Sequence, residues 1–527
     1  MALRVALTIS GAVSLGSYEG GALAALLCAA GPLASRPEPA LEIDVMSGAS
    51  AGSVTALLAA RTLLEGHDPV QVMKGAWVEG DSIGAMLSHD SDAPLSIDAL
   101  RDMARALIDP PADGGGVRPR QASPVELSYT LACLRGLEYR LPRLGTEPIT
   151  ASTFIDYYQH TLGQNADLAS LVTPAGSAPL DAVLASAANA MGFPPYLLDR
   201  TANRATYLAQ GVDNLRPASE PSMWFTDGGT LDNEPLGRAL DLSNQIDAGQ
   251  PAGARRMHLL IHPHPTGAVR GAAWAAPDNP PTFVQTAVRA MAMQRTQSLY
   301  DDLKRVEKTN SQIAWVNQVC ESLGEALATL PPEEQSRLQV ALSAVAGSIQ
   351  TDKGALRRQK GDPGAQVPQS PASADADTLG GLLSRTIGLA TGVGGKRRVA
   401  VDVISPLQLI APGEEEPSVE DMLSGEVLFH FGGFLDATMR LNDFDLGYSS
   451  ALEWLKSDAL CRAGLDEADR DSAHSAAEAG YRPRDGWKET GKTTVGSLLG
   501  MHRWQAARLT GKITHVMLHD LLHHPPQ

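Results

Sequence analysis

The side chain best placed for nucleophilic chemistry is Ser50, at the centre of Gly48-Ala49-Ser50-Ala51-Gly52. A serine hydroxyl is a weak nucleophile and works only when it is presented at a sharp bend beside a base. The flanking residues supply the bend: residues 41–46 read as a β-strand and residues 53–61 as a helix. Gly48 and Gly52 omit side chains where such a turn is crowded, and the hydroxyl then stands at the positive end of the helix. Glycine makes up 50 of 527 residues, so a bare Gly-x-Ser-x-Gly match arises easily by chance. Its meaning depends on partners elsewhere in the chain.

The first partner is the turn Ser10-Gly11-Ala12-Val13-Ser14-Leu15-Gly16. It follows the short β-type run of residues 4–9 and precedes a helical stretch over 18–30. A glycine turn ahead of a helix bares backbone N–H groups that hold a phosphate or a developing oxyanion. Val13 stands where a dinucleotide fingerprint has its middle glycine, and the Gly-Lys-Ser/Thr ending of a phosphate loop is missing. What remains is a plain tight turn or, beside the Ser50 turn, a candidate oxyanion hole. Two strand, glycine turn, helix units in succession argue for an α/β fold with a parallel sheet and helices on its faces. Both turns would then lie at the carboxyl ends of strands.

From Ile9 to Gly21 the sequence resembles the opening of the patatin-like phospholipases, in which a glycine-rich oxyanion loop precedes a Gly-x-Ser-x-Gly serine by about this distance. The resemblance predicts a downstream Asp-Gly-Gly and, shortly before it, an alanine-rich helix ending in Phe-Pro-Pro. Both are present, as Asp227-Gly228-Gly229 and as Ala185 onward to Phe193-Pro194-Pro195, and Asn233-Glu234-Pro235 matches the Asn-x-Pro that follows. The resemblance implies a three-layer α/β sandwich with a mainly parallel central sheet and Ser50 on a nucleophile elbow. It implies a lipid acyl hydrolase whose Ser50 and Asp227 form a dyad that cleaves carboxylic esters through an acyl-enzyme. Its oxyanion hole would be formed by Gly11, Ala12, Val13 and Ala51, with Gly16, Gly48, Gly52, Gly228 and Gly229 as motif glycines. Gly228 would let the chain run close to Ser50.

This chain departs from the family's Gly-Gly-Gly-x-Arg-Gly loop at Ala12, Val13 and Leu15. A valine held at φ > 0 is strained, so the loop either takes another backbone path or makes a weaker hole. A scaffold that binds lipid or protein without turnover is therefore an alternative, and a Ser-His-Asp hydrolase using His262 or His264 is a third reading.

Residues 1–280 read as the catalytic core and residues 281–397 as a helical insertion containing a Pro/Gly-rich loop over 351–381. A returning strand and helix over 398–456 would complete the core, and 457–527 would be a helical extension. Within the core, residues 125–134 and 137–141 read as strands of a hairpin turning at Arg135-Gly136, and 109–120 as a loop. Three lesser features stand out. His515, His519 and His523 share a helical face, with His524 beside them, and read as a partly solvated helix more readily than as a metal site. Arg357-Arg358-Gln359-Lys360 and Lys396-Arg397-Arg398 flank the loop. Residues 379–394 are small and apolar and read as a buried connector or a lid.

A formal net charge of −17 argues against nucleic acid as partner and against general attraction to an anionic bilayer, leaving transient contact with a membrane surface. The expected partner is a lipid or other ester substrate. Neither a metal nor an organic cofactor is expected, and the oligomeric state is not legible. Cys28, Cys133, Cys320 and Cys461 are far apart in sequence, which suits a reducing compartment. Residues 1–30 do not read as a signal peptide, because Ser10-Gly11 and Glu19 interrupt the apolar run, and no apolar run reaches about 18 residues. A cytoplasmic protein is the expectation.

Overall fold

The computed structural model describes residues 1–80, 86, 93–108, 120–143, 146–164, 166, 168–190, 192–215, 221–247, 255–264, 283–359, 378–393, 396, 398–410, 422–426, 430–484, 507, 511, 512, 514 and 515. In chain order, β1 (Leu3–Ile9) leads to α1 (Gly16–Ala34), and β2 (Leu41–Gly48) to α2 (Ala51–Glu65). α3 (Pro69–Lys74) continues into a π-helical turn at Gly75–Glu79, and α4 spans Ile97–Ile108. β3 (Val125–Arg143), β4 (Thr146–Leu162), α5 (Pro179–Ala187), β5 (Tyr196–Asp199), β6 (Ser222–Asp227), α6 (Leu236–Asp247) and β7 (Arg255–Ile261) follow. Then come α7 (Phe283–Ala328), α8 (Pro332–Gln359), α9 (Leu379–Thr391), β8 (Ala400–Ile404), α10 (Ala437–Lys456) and α11 (Glu467–Gly480).

The strands form one sheet in the order β5-β6-β3-β2-β1-β7-β8, with β4 paired to β3. β1 lies between β2 and β7, and these contacts, with β2–β3 and β7–β8, are parallel. The β3–β4, β3–β6 and β5–β6 contacts are antiparallel. The expected mainly parallel sheet is thus a mixed one. Its parallel half comes from strands linked by helical crossovers, which parallel pairing requires. Its antiparallel half is built around β3.

β3 also corrects the expected hairpin at Arg135-Gly136. The strand runs on through a bulge between Ala132 and Leu137, where Gly136 takes φ +79, and turns back only after Arg143. An extra stretch of chain absorbed at a left-handed glycine is a bulge and not a turn.

Helices cover both faces. Leu3, Val5, Leu7 and Ile9 of β1 join the core shared with α1 and α2, whereas Ala6 and Val45 meet Ala239 and Leu242 of α6 on the other side. This alternation is the period-2 pattern of a strand buried on both faces. α1 includes a window apolar and long enough to cross a membrane, contrary to the expectation that no run qualifies, and that window is wholly buried in the fold. α1 also packs against α10 at very short range: a Cβ on Gly21 would run into the Phe444 carbonyl, and one on Gly447 into the Tyr18 carbonyl.

α7 lies over β7 and β8, its Leu299 and Val306 packing with Leu236 and Leu260. Asn310 clasps Val399 just before β8, donating to its carbonyl and accepting from its N–H, each at 2.8 Å. Residues 379–391 form α9, with Leu382, Leu383 and Leu389 buried, so this stretch is a packed connector and not a lid. Within the strand and helix expected over 398–456, the described residues show β8 and α10, with short 3-10 turns at Ser424–Glu426 and Gly432–Leu435 ahead of α10. Residues 109–119, the side chains of Arg357 and Arg358, and Lys360, Arg397, His519, His523 and His524 lie outside what the structure describes.

Candidate active site

Ser50 and Asp227 are 177 residues apart in sequence, and β3 brings them together. β2 ends at Gly48, in register with Tyr129 of β3, and β6 ends at Asp227, in register with Leu131. The two strand ends therefore meet the same short stretch of β3, about 7 Å apart along it. The residue between, Thr130, explains Gly228: a Cβ there would run into the Thr130 carbonyl. Gly228 thus clears β3, and not Ser50 as expected.

At the junction of β2 and α2, Ser50 has φ 51 and ψ −121, a conformation L residues rarely adopt. Such a backbone persists only where its surroundings over-determine it. Ser50 N–H donates to Ser186 Oγ (3.1 Å), which lies 2.8 Å from Ser53 Oγ, and Ser53 Oγ donates to the Gly48 carbonyl (3.0 Å). Gly48 and Gly52 are required by crowding: a Cβ on the first would strike the Gly52 backbone, and one on the second the Ile9 and Ser10 carbonyls.

Ser50 Oγ donates to Asp227 Oδ2 at 3.1 Å, with Ser50 5% and Asp227 1% exposed. The same oxygen accepts from Asn189 Nδ2 at 3.1 Å, and Asp227 Oδ1 accepts from Gly229 N–H at 2.8 Å. Asn189 follows Ala188, the C-cap of α5, and the Ala188 carbonyl accepts from Asp227 N–H at 2.9 Å. These donors fix the orientation of the Asp227 carboxyl group.

The loop after β1 corrects one expected donor. Gly11 N–H donates to the Asn233 carbonyl (2.9 Å), while Asn233 Nδ2 donates to the Gly11 carbonyl (3.0 Å), so Gly11 N–H is committed to the Asn233 turn. The role of Gly11 is close approach: a Cβ there would be 3.2 Å from Ser50 Cβ and would strike Asn233. Val13 keeps φ 52, so the loop takes the strained path and not an alternative one. Leu15 is fully buried with Tyr18, Met422 and Leu446. Gly16 faces the Trp77 ring, which leaves no space for a side chain. Beneath the loop, Glu19 is fully buried and accepts from Ser10 Oγ at 2.8 Å, and burial pushes its carboxyl well above the usual range.

Beside Ser50 opens a small, largely apolar pocket. Val13, Trp77, Phe193 and Phe434 contribute to its wall, and α2 and α4 supply more. Ser50 and Asn189 bring the polar groups, and no charged side chain lines it among the described residues. His262 Nε2 sits 3.3 Å from Glu234 Oε1, and the His264 ring meets the His430 ring edge-on at 5.1 Å. The hydrogen bond of Ser50 is to Asp227, and His262 serves the Asn233–Glu234 turn.

Sequence reasoning singled out Ser50, Asp227 and the glycines but missed Ser186, Asn189 and Asn233 as partners. A signal existed, because all three lie inside the quoted motifs. It also missed Ser14 and Gly433, which meet across 419 residues of chain.

Comparison with known proteins gives three findings. The family model described as patatin-like phospholipase matches residues 7–240. An uncharacterized membrane protein of Mycobacterium tuberculosis is 26% identical over 309 residues, covering 50% of this chain and 25% of that protein. The chain thus spans about a quarter of that relative's length. The crystal structure of VipD from Legionella pneumophila aligns over 98% of this chain and 90% of that one, at 13% identity and a TM-score of 0.24, a likeness too low to carry a structural argument. Residues 7–240 thus match the model of a family of lipid acyl hydrolases, and a long C-terminal extension follows the matched part.

Proposed function

We propose that the protein is a serine lipid acyl hydrolase that cleaves carboxylic esters with Ser50 as nucleophile and Asp227 as base. The observation that carries this is the 3.1 Å hydrogen bond from Ser50 Oγ to Asp227 Oδ2 at the floor of an apolar pocket. Ser50 stands on a nucleophile elbow, strained between β2 and α2. Its oxygen attacks the ester carbonyl as the hydroxyl proton passes to Asp227. The resulting oxyanion is held by N–H groups of Ala12, Val13 and Ala51; that of Ala51 lies in the first turn of α2, where no intrahelical acceptor exists. Collapse expels the alcohol, which takes the proton from Asp227. Water then attacks the acyl-Ser50 ester, giving its proton to Asp227, and the second collapse returns that proton to Ser50 Oγ and frees the carboxylic acid.

The uncharged wall suits an acyl chain: each buried CH₂ contributes about 0.8 kcal/mol to binding. Asn189 fixes the carboxylate so that the lone pair it presents to Ser50 does not wander. A binding scaffold without turnover is the second reading, favoured by the commitment of Gly11 N–H to Asn233. Hydrolysis of a short-chain p-nitrophenyl ester by purified full-length protein separates the two. Ser50→Ala and Asp227→Ala should each lower kcat by about 10³-fold or more while leaving the protein folded. Wild-type rates in both variants would remove the dyad.

A further inference from the structure

We propose that residues 430–440, which lie outside the part matched by the family model, form a clamp that holds the oxyanion loop in its working conformation, with Ser14 and Gly433 as positioning residues. The inference rests on Ser50 being the nucleophile. It begins with Val13. A β-branched residue at φ 52 is strained, and Val13 has no glycine's freedom to sit there unaided. Strained residues persist where neighbours over-determine them, and the neighbour here is Ser14. Its N–H donates to the His430 carbonyl at 3.0 Å, its Oγ donates to that same carbonyl, and its Oγ accepts from Gly433 N–H at 3.1 Å. Ser14 is fully buried, so water does not compete for these bonds.

The clamp is itself anchored. Arg440, buried on α10, donates to the Gly433 carbonyl at 2.9 Å and to the Val78 carbonyl at 2.8 and 3.2 Å. One guanidinium thus ties the clamp to the π-helical turn that carries Trp77. Contact is close enough that a Cβ on Gly433 would lie 2.7 Å from Ser14 Oγ. On the pocket side, Phe431 and Phe434 pack in a cluster that Val13 and Phe193 join, and Phe434 forms part of the pocket wall. The C-terminal extension therefore supplies both a brace for the loop and a surface for substrate, and catalysis by this chain requires residues far beyond the domain that bears the dyad.

The test is a double-mutant cycle in the full-length protein, read by ester hydrolysis and by amide hydrogen exchange. Ser14→Ala should lower kcat by about tenfold or more, as loss of a well-placed oxyanion donor does, with KM changed less than about threefold. In the Val13→Gly background, where the loop needs no brace to reach φ > 0, the same Ser14→Ala change should cost less than about threefold in kcat. Equal losses in the two backgrounds, or no loss in the first, overturn the clamp. Exchange of the amides of residues 12–15 should accelerate about tenfold or more in Ser14→Ala while β1 and β2 stay protected. Absence of that acceleration overturns the clamp whether or not the protein is an esterase. A wild-type protein that hydrolyses no ester but shows the acceleration would keep the clamp and remove the enzymatic reading.

Discussion

Asp227 receives hydrogen bonds from Ser50, Asn189 and Gly229, and this crowding of donors defines the chemistry at the residue scale. A carboxylate so surrounded is held in one orientation, and the proposed dyad depends on that geometry. Asn189→Leu keeps the volume and removes the donor. It should lower kcat by about 10- to 100-fold with little change in KM, because the lost interaction orients the base and does not bind substrate. Steady-state kinetics on the ester checks this, and a change confined to KM would contradict it. Ser50 and Asp227 were legible because each sits in a short motif with its own glycines. Asn189 was not, although it lies in a quoted motif, because only the packing of α5 against the end of β6 shows which atom it meets. Gly11 was misread for the same reason: the Asn233 carbonyl that occupies its N–H is 222 residues away.

At the element scale, β3 and α1 do the positioning. β3 aligns the ends of β2 and β6, and its bulge at Gly136 lets one strand serve β4 along its length. The hairpin expected at Arg135-Gly136 failed because a glycine with φ > 0 serves a bulge as well as a turn, and the local sequence does not distinguish them. α1 was readable as a helix from its composition, but not its partner. Its small residues admit α10 to backbone contact, and this contact carries the clamp to the loop. Gly447→Ala puts a Cβ against the Tyr18 carbonyl and should destabilise the fold by roughly 1–3 kcal/mol in urea unfolding, the usual cost of overpacking. An unchanged midpoint would show that the two helices can separate freely.

For the whole molecule, the strand at 400–404 completes the sheet beside β7 and the helix at 437–456 packs on α1. Sequence pattern showed that an α/β strand returned late. It did not show that the sheet is mixed, since antiparallel pairing depends on which strand ends meet. Buried titratable groups also give the fold a pH dependence. Burial holds His160 down to about 4 and His258 down to about 3, so the folded protein stays unprotonated there while the unfolded chain takes up protons near pH 6.5. These histidines make stability fall as the pH drops below about 6.5. Asp232 acts oppositely. Burial, offset in part by a hydrogen bond from Tyr157 and reinforced by Asp302 and Glu234, raises it to about 7. From about pH 4 upward the unfolded chain has lost a proton that the fold retains, so this contribution to stability is lost as the pH rises through 7. Asp232→Asn should therefore gain roughly 2–3 kcal/mol more relative to wild type at pH 8 than at pH 4.5. Urea unfolding at the two pH values checks this, and an equal effect at both would show that Asp232 titrates normally.

The most direct measurement is covalent labelling of the folded, full-length protein with a fluorophosphonate, followed by mass spectrometry of the peptides. One adduct on Ser50, absent in Ser50→Ala and formed at least about 100-fold more slowly in Asp227→Ala, is the result that a Ser50–Asp227 dyad predicts. A folded wild-type protein that stays unlabelled, or that carries the label on another residue, would contradict it.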